Sequence, residues 1–333
     1  MSKKPAASAA SAKQEAPEEH VHQSVHQAPQ ATAEVPQVAP AVPDRTAGRL
    51  DVRKTYKLYI GGAFPRSESG RSYPVTGSGG ELLAYAARAS RKDARDAVRA
   101  ARGAFAGWSG ATAYNRGQVL YRVAELMEGR AAQFATEVAA AEGLTSRDAT
   151  AQVDAAIDRW VWYAGWTDKI ASVTGSANPV AGPYFNFSVP EPSGVVAVLA
   201  PPGSSLLGLV SVLAPVIAVG CTAVVATSGA RPLPAVTLAE VLATSDVPAG
   251  VVNLLTGDPA ELAPVLAGHQ DVDAIDLTGA GPGQAAELEA LAAGNLKRVL
   301  RPPAPDQDWR AGPGTSRLLA FLEVKTVWHP AGI

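Results

Sequence analysis

Cysteine is almost absent from this chain. Cys221 is the only one in 333 residues. That excludes an internal disulfide framework and any cysteine-rich metal site, and it fits a reducing compartment. Charge is scarce and balanced, with 29 Lys and Arg against 31 Asp and Glu and a formal net charge of −2. Such a balance gives no reason to expect nucleic acid or an acidic membrane as a partner. One stretch lacks charge altogether, from Pro192 to Ala230, and something must bury it. A membrane span, one long buried helix, or strand, loop, helix and strand inside a sheet would each do so. Pro201, Pro202 and Gly203 break any regular element. Val195–Leu199 and Thr222–Thr227 are β-branched runs suited to strands buried on both faces. Between them Leu206–Val219 reads as a helix, with Ser204 and Ser205 as candidate N-caps and Gly220 as its stop. Leu206–Val225 has about the length needed to cross a bilayer. Against that reading, Pro215 and Gly220 interrupt it and no Lys/Arg cluster flanks it.

The rest of the chain reads in order. Residues 1–50 are built of Ala, Pro, Gln, Ser, Val and His without an aromatic residue, the composition of a disordered tail without a secretory apolar core. His20, His22 and His26 within it read as a solvated polar group rather than a metal site. Leu58–Phe64 is expected to be a strand entering a glycine turn, the first arm of a hairpin. Ser72–Val75 and Leu82–Ala86 continue a small β region. Ser90 should cap a helix carrying Ala94, Val98, Ala101 and Phe105 at helical spacing. Further helices are expected over Tyr114–Glu128, Ala131–Glu142 (stopped by Gly143) and Ser146–Ala171, the last crowded by Trp160, Trp162 and Trp166. Strands at Asn186–Pro190, Gly194–Leu199, Gly250–Leu255 and Asp273–Thr278 then alternate with helices at Leu233–Thr244, Glu261–Ala267 and Gln284–Ala293. That alternation implies a parallel sheet with right-handed crossovers.

In this order the motifs LYIGGAF, EPSGVVAVLAP, LAPVIAVGCTAVVATSGARPLPAVTLAEVL, VPAGVVNLLTGD, HQDVDAIDLTG and AAGNLKRV resemble the aldehyde dehydrogenase superfamily over about residues 57–299. LLAFLEVKTVWHP is similar to the family's final strand. The resemblance implies an α/β fold: a doubly wound, mostly parallel Rossmann-like sheet with a helical N-terminal layer and a β-arm. It turns the apolar stretch into soluble strand, helix and strand. Four segments are expected: a tail over 1–50, a cofactor-type domain with the β-arm over 51–299, a Pro/Gly-rich link over 300–315 in place of the catalytic domain, and an oligomerisation strand over 316–333.

The family's chemistry uses a cysteine thiolate, an asparagine and a backbone N–H for the oxyanion, NAD or NADP as hydride acceptor, and a glutamate that activates water. The positions that match these motifs carry other residues. Gly203 stands at the asparagine, Ala226 at the cofactor lysine, Gly229 at the glutamate that accompanies it, and Pro302 where the glutamate after Asn295-Leu296-Lys297-Arg298-Val299 belongs. Cys221 sits at a packing position and is expected to be inert. No catalytic residue and no metal ligand are therefore assigned. Thr278, Gly279, Gly281 and Gly283 are the residues that could cradle a dinucleotide, with turn geometry as the alternative. NAD or NADP is expected to bind weakly or not at all.

The resemblance leaves the assembly elements in place. The expectation is a catalytically inactive member, a pseudoenzyme, that forms a homo-oligomer or a hetero-oligomer with a full-length aldehyde dehydrogenase, in the cytoplasm, without nucleic acid or membrane. Loss of a domain should also uncover apolar surface for a partner. The alternatives are an NAD(P)-dependent aldehyde oxidoreductase and a nucleotide-binding sensor without chemistry.

Overall fold

A computed structural model describes residues 52–281 and 283–331, within the compact unit Val52–Ile333. The N-terminal tail, with His20, His22 and His26, lies outside them, as do Pro282 and the last two residues. The chain opens with β1 (Thr55–Tyr56), β2 (Ser72–Thr76) and β3 (Leu82–Ala87), which form a small sheet in the order β1-β3-β2. Leu58–Phe64 turns back on itself through an Ile60–Ala63 bridge, with Gly61 and Gly62 both at positive φ. Ile60 and Ala63 exchange both backbone hydrogen bonds and Leu58 N–H donates to the Pro65 carbonyl, which closes a tight hairpin. Tyr59 also bridges Leu254 of the main sheet and lies in the core at 2% exposure.

Four helices follow: α1 (Arg91–Gly110), α2 (Ala113–Glu128), α3 (Ala131–Glu142) and α4 (Ser146–Ala164). Ser90 caps α1 in a reciprocal box with Asp93, which satisfies N–H groups that no helical carbonyl can reach. Gly143 ends α3 in the left-handed conformation. The helix expected to run to Ala171 stops at Ala164. Gly165 caps it and Thr167 turns its hydroxyl onto the Ala164 carbonyl. The chain resumes as α5 (Ile170–Thr174). Trp160 is fully buried on α4, and Trp162 meets Tyr163 edge-on and Trp166 at a tilt.

Next come β4 (Ser176–Asn178), β5 (Tyr184–Pro192), β6 (Val195–Leu199), α6 (Leu207–Ala218), β7 (Thr222–Ala226), α7 (Leu233–Leu242), β8 (Val252–Leu255), α8 (Pro259–Ala267), β9 (Ala274–Asp276), α9 (Gln284–Ala292) with a 3-10 turn, and β10 (Arg298–Leu300). β6 to β10 make a five-stranded parallel sheet in the order β10-β9-β6-β7-β8. The winding runs outward from β6 through β7 to β8, then returns to the other side of β6 with β9 and β10. The switch point therefore lies between β6 and β9. Alternate residues of β6 serve opposite faces. Val196 and Val198 join the core under α6, α7 and the α2–α4 layer. Val195, Ala197 and Leu199 join the core under α1, α8 and α9. Burial on both faces is why the sequence from Pro192 to Ala230 carries no charge. Among the described residues no helix is long and apolar enough to cross a membrane.

The chain then forms α10 (Ser316–Ala320) and β11 (Leu322–Pro330). The expected final strand over Leu318–Trp328 thus starts as a helical turn, since Leu318 must reach the core at 1% exposure. β11 pairs antiparallel with β5 over nine residues, and β4 lines the other side of β5, giving the order β11-β5-β4. A polar ladder fixes the register: Asn178 Nδ2 donates to Asn186 and Ser188, and the Ser188 and Thr326 hydroxyls pair at 2.9 Å.

Candidate functional site

Ligands of doubly wound sheets sit outside the carboxyl ends of the strands, at the switch point. Here that point is closed by the chain itself. Leaving β9, the backbone passes through Leu277-Thr278-Gly279-Ala280. Gly279 N–H donates to the Leu199 carbonyl at the end of β6 over 2.9 Å. A Cβ at Gly279 would stand 2.1 Å from the Ala200 oxygen, so only glycine fits so close an approach. Gly281 N–H is taken by the Gln284 side chain at 3.2 Å. Gly283 starts α9 at φ 81°, a conformation that costs glycine nothing. These contacts are turn geometry, and they occupy the Gly279 and Gly281 N–H groups that would face a phosphate.

Thr278 is held from two sides. Its N–H and hydroxyl both donate to Asp276 Oδ1. Arg317, on α10, donates to Asp276 Oδ2 at 2.6 Å and to Thr278 Oγ1 at 3.0 Å. Asp276 is fully buried. Burial pushes its carboxyl above the usual carboxylate range, against the pull of Arg317 and Thr278. The Arg317 guanidinium lies 5.6 Å from the centre of the Trp309 ring, a cation–π contact. Arg159 of α4 anchors the same segment, donating to the Trp309 and Ala311 carbonyls at 2.7 and 3.0 Å and to Ser211 at 2.8 Å. Burial lowers its pKa. Beside this cluster the Tyr163 hydroxyl is buried without a hydrogen-bond partner, and burial pushes its pKa to about 12.

Residues 301–315 thus return over α4, held by Arg159 and by the contact of Arg317 with Trp309. Trp309 and Leu300 pack on the core, and Leu291, Leu296 and Leu319 are exposed.

The positions matched to the family's motifs lie as follows. Gly203 presents its carbonyl to Arg231 at 2.8 Å. Ala226 is 1% exposed. A Cβ at Gly229 would meet the Gly257 oxygen at 2.7 Å, so no longer side chain fits there without movement. Pro302 is exposed. Cys221 is fully buried, its thiol turned to the Phe321 carbonyl at 3.4 Å, and burial pushes its pKa up to about 12. A thiol so protonated is no nucleophile at neutral pH. The residues present therefore do not reproduce the contacts by which the family is expected to hold a nicotinamide dinucleotide. A cleft of about 420 Å³ does open at the ends of β7 and β8, walled by Tyr73, Pro202, Ser228–Ala230 and Pro259. The loop Thr278–Gly283 is not among its walls.

Sequence reasoning singled out Thr278 and the glycines and did not single out Arg317, Arg159, Trp309 and Asp276. A signal was present in two of them: Asp276 is the one acid in the apolar run Ala274–Leu277, and Arg317 precedes Leu318–Leu322.

Comparison with known proteins agrees with this architecture. The pattern that defines the aldehyde dehydrogenase family matches residues 66–301. The (Z)-2-((N-methylformamido)methylene)-5-hydroxybutyrolactone dehydrogenase of Acinetobacter baylyi is 35% identical over 249 residues, 73% of this chain and 50% of that one. Retinal dehydrogenase 2 of Gallus gallus is 34% identical over 255 residues, 75% of this chain and 48% of that one. Among solved structures, the NAD+ complex of an aldehyde dehydrogenase from Bacillus cereus superposes with a TM-score of 0.70 at 28% identity, covering 74% of this chain and 50% of that one. The chain spans about half the length of the relatives it matches. By its sequence pattern and its doubly wound sheet, it belongs to the aldehyde dehydrogenase family.

Proposed function

We propose that this chain is a non-catalytic member of the aldehyde dehydrogenase family that acts by assembling with itself or with a full-length active relative, as a structural or regulatory subunit. One observation carries the reading. The bond from Gly279 to Leu199 closes the switch point, with Arg317 pairing Asp276 and Thr278 beside it, while the β-arm stands open. β11 is an edge strand of nine residues, and Tyr184, Phe185, Val324 and Trp328 expose large apolar surface on the same sheet. A long edge strand with aromatic flanks is a template for pairing with another chain.

The test is gentle affinity purification from the native host, with light scattering for mass and identification of co-purifying chains. The expected result is a stoichiometric oligomer, either of this chain alone or with a full-length aldehyde dehydrogenase. A lone monomer overturns the assembly reading. NADH formation from short aliphatic or aromatic aldehydes, abolished by Cys221→Ser, would overturn the non-catalytic reading and restore the aldehyde oxidoreductase.

The cleft at the ends of β7 and β8 favours a second reading, a nucleotide-binding chain without chemistry. Tyr73, Pro202 and Pro259 on its walls suit a flat ring, and Arg88 and Asp258 line it as well. A saturable NADH fluorescence signal lost in Gly229→Leu would support it. No signal up to about 1 mM cofactor, the weak end of specific binding, removes it.

A further inference from the structure

The chain is near-neutral overall, yet one groove gathers four cations against two carboxylates. It lies between the start of α1 and the side of α8, with a volume of about 860 Å³. Arg71, Arg91, Lys92 and Arg95 line one side, and Pro264 and Val265 line the other. Two carboxylates also reach it, and both are engaged. Glu261 pairs with Arg88 at 2.7 Å. Glu68 accepts from the Ser90 hydroxyl at 2.9 Å and lies 4.0 Å from Lys92. Arg91 and Arg95 are exposed and make no hydrogen bond or ion pair with the described residues. Arg71 finds only the Ser69 hydroxyl at 3.4 Å for its side chain.

Their placement works against the helix. Arg91 and Lys92 occupy the first turn of α1, the positive end of the macrodipole, where a cation is destabilising. Helix formation gives no reason for them, because the box of Ser90 and Asp93 already satisfies that end. Two guanidinium groups left without a partner at that end suit an anion that arrives from outside. Since the first N–H groups are taken by Ser90, the guanidinium groups would do the holding. Arg forks suit phosphate oxygens.

We infer that this groove binds a di- or triphosphate group, held by Arg91 and Arg95 with Arg71 and Lys92 beside them. An organic moiety attached to the phosphates would lie on Pro264 and Val265. The site lies on the α1 side of α8, away from the loop Thr278–Gly283 at the head of α9, so the inference stands apart from the assembly reading.

Calorimetry at low ionic strength with inorganic tripolyphosphate and, separately, with ADP tests it. The comparison uses the intact chain, Arg91→Glu/Arg95→Glu, and Arg122→Glu/Arg147→Glu, which makes the same charge change at exposed positions elsewhere. Expected is tripolyphosphate binding that weakens about tenfold or more in the first variant, as loss of charge-assisted hydrogen bonds requires, and stays unchanged in the second. ADP binding tighter than tripolyphosphate, with the same loss, identifies a nucleotide; ADP binding no tighter identifies the phosphates alone. A thermal melt of each variant confirms that the fold is intact. Absence of tripolyphosphate binding up to about 1 mM, or equal loss in both variants, overturns the inference.

Discussion

The two large sheets of this chain obey opposite rules. In the parallel sheet every residue of β6, β7 and β8 is buried. In the arm, β11 buries only its first residue. In the parallel sheet helices cover both faces, and Arg317 of α10 pairs with the buried Asp276 of β9. The arm is held internally by main-chain pairing and a short polar ladder, and its aromatic side chains meet little but each other, as Tyr184 meets Trp328 at 5.8 Å. One region is built for self-sufficiency, and the other is built as though a second surface were part of the design.

Substitutions can break that contrast in graded steps. Asp276→Ala should cost the most, about 3–5 kcal/mol in a denaturant titration, because it leaves the guanidinium of Arg317 uncompensated in a buried setting. Ile217→Val in the wholly buried helix α6 should cost about 0.5–1.5 kcal/mol by the same measurement. Glu137→Gln should act in the other direction. Burial raises the Glu137 carboxyl above its ordinary 4.5, and its Oε2 has no partner. A raised folded-state value means that this group supports the fold most below about pH 4.5 and loses that support as pH rises through the folded value. The variant should therefore melt higher than the parent at pH 7, with the gap closing as pH falls to 4.5; a gap that widens on acidification refutes the assignment. Trp328→Ala should change monomer stability least, within about 0.5 kcal/mol, yet lower the mass seen by light scattering. A large stability loss without a change in mass would show that the arm is self-sufficient after all.

The parallel sheet was legible in the sequence because its signals are local. A charge-free run broken by Pro201-Pro202-Gly203 can be satisfied in few ways, and Ser90 and Gly143 announce the ends of their helices. The end of α4 was not legible, since the apolar and aromatic spacing continues to Trp166 and Ile170 while Gly165 and Thr167 turn the chain. The candidate site was legible only in part. Gly203, Ala226, Gly229 and Pro302 differ in type from the residues the resemblance calls for. The cluster at the end of β9 could not be read, because Arg159, Asp276, Trp309 and Arg317 come from four separate segments and meet only through the fold.

The register of the arm has a consequence for the order in which the protein is made. β5 pairs with a strand synthesised much later, with Pro192 opposite Leu322 and Tyr184 opposite Pro330. At roughly 5–20 residues per second, β5 leaves the ribosome roughly 6–30 s before its partner exists. The parallel sheet, whose strands follow one another closely, can close in that interval. Tyr184, Phe185 and Phe187 must meanwhile wait with one edge of their strand open. During those seconds the edge is available to any finished β11 nearby, so neighbouring chains on one message could exchange strands before either arm is complete.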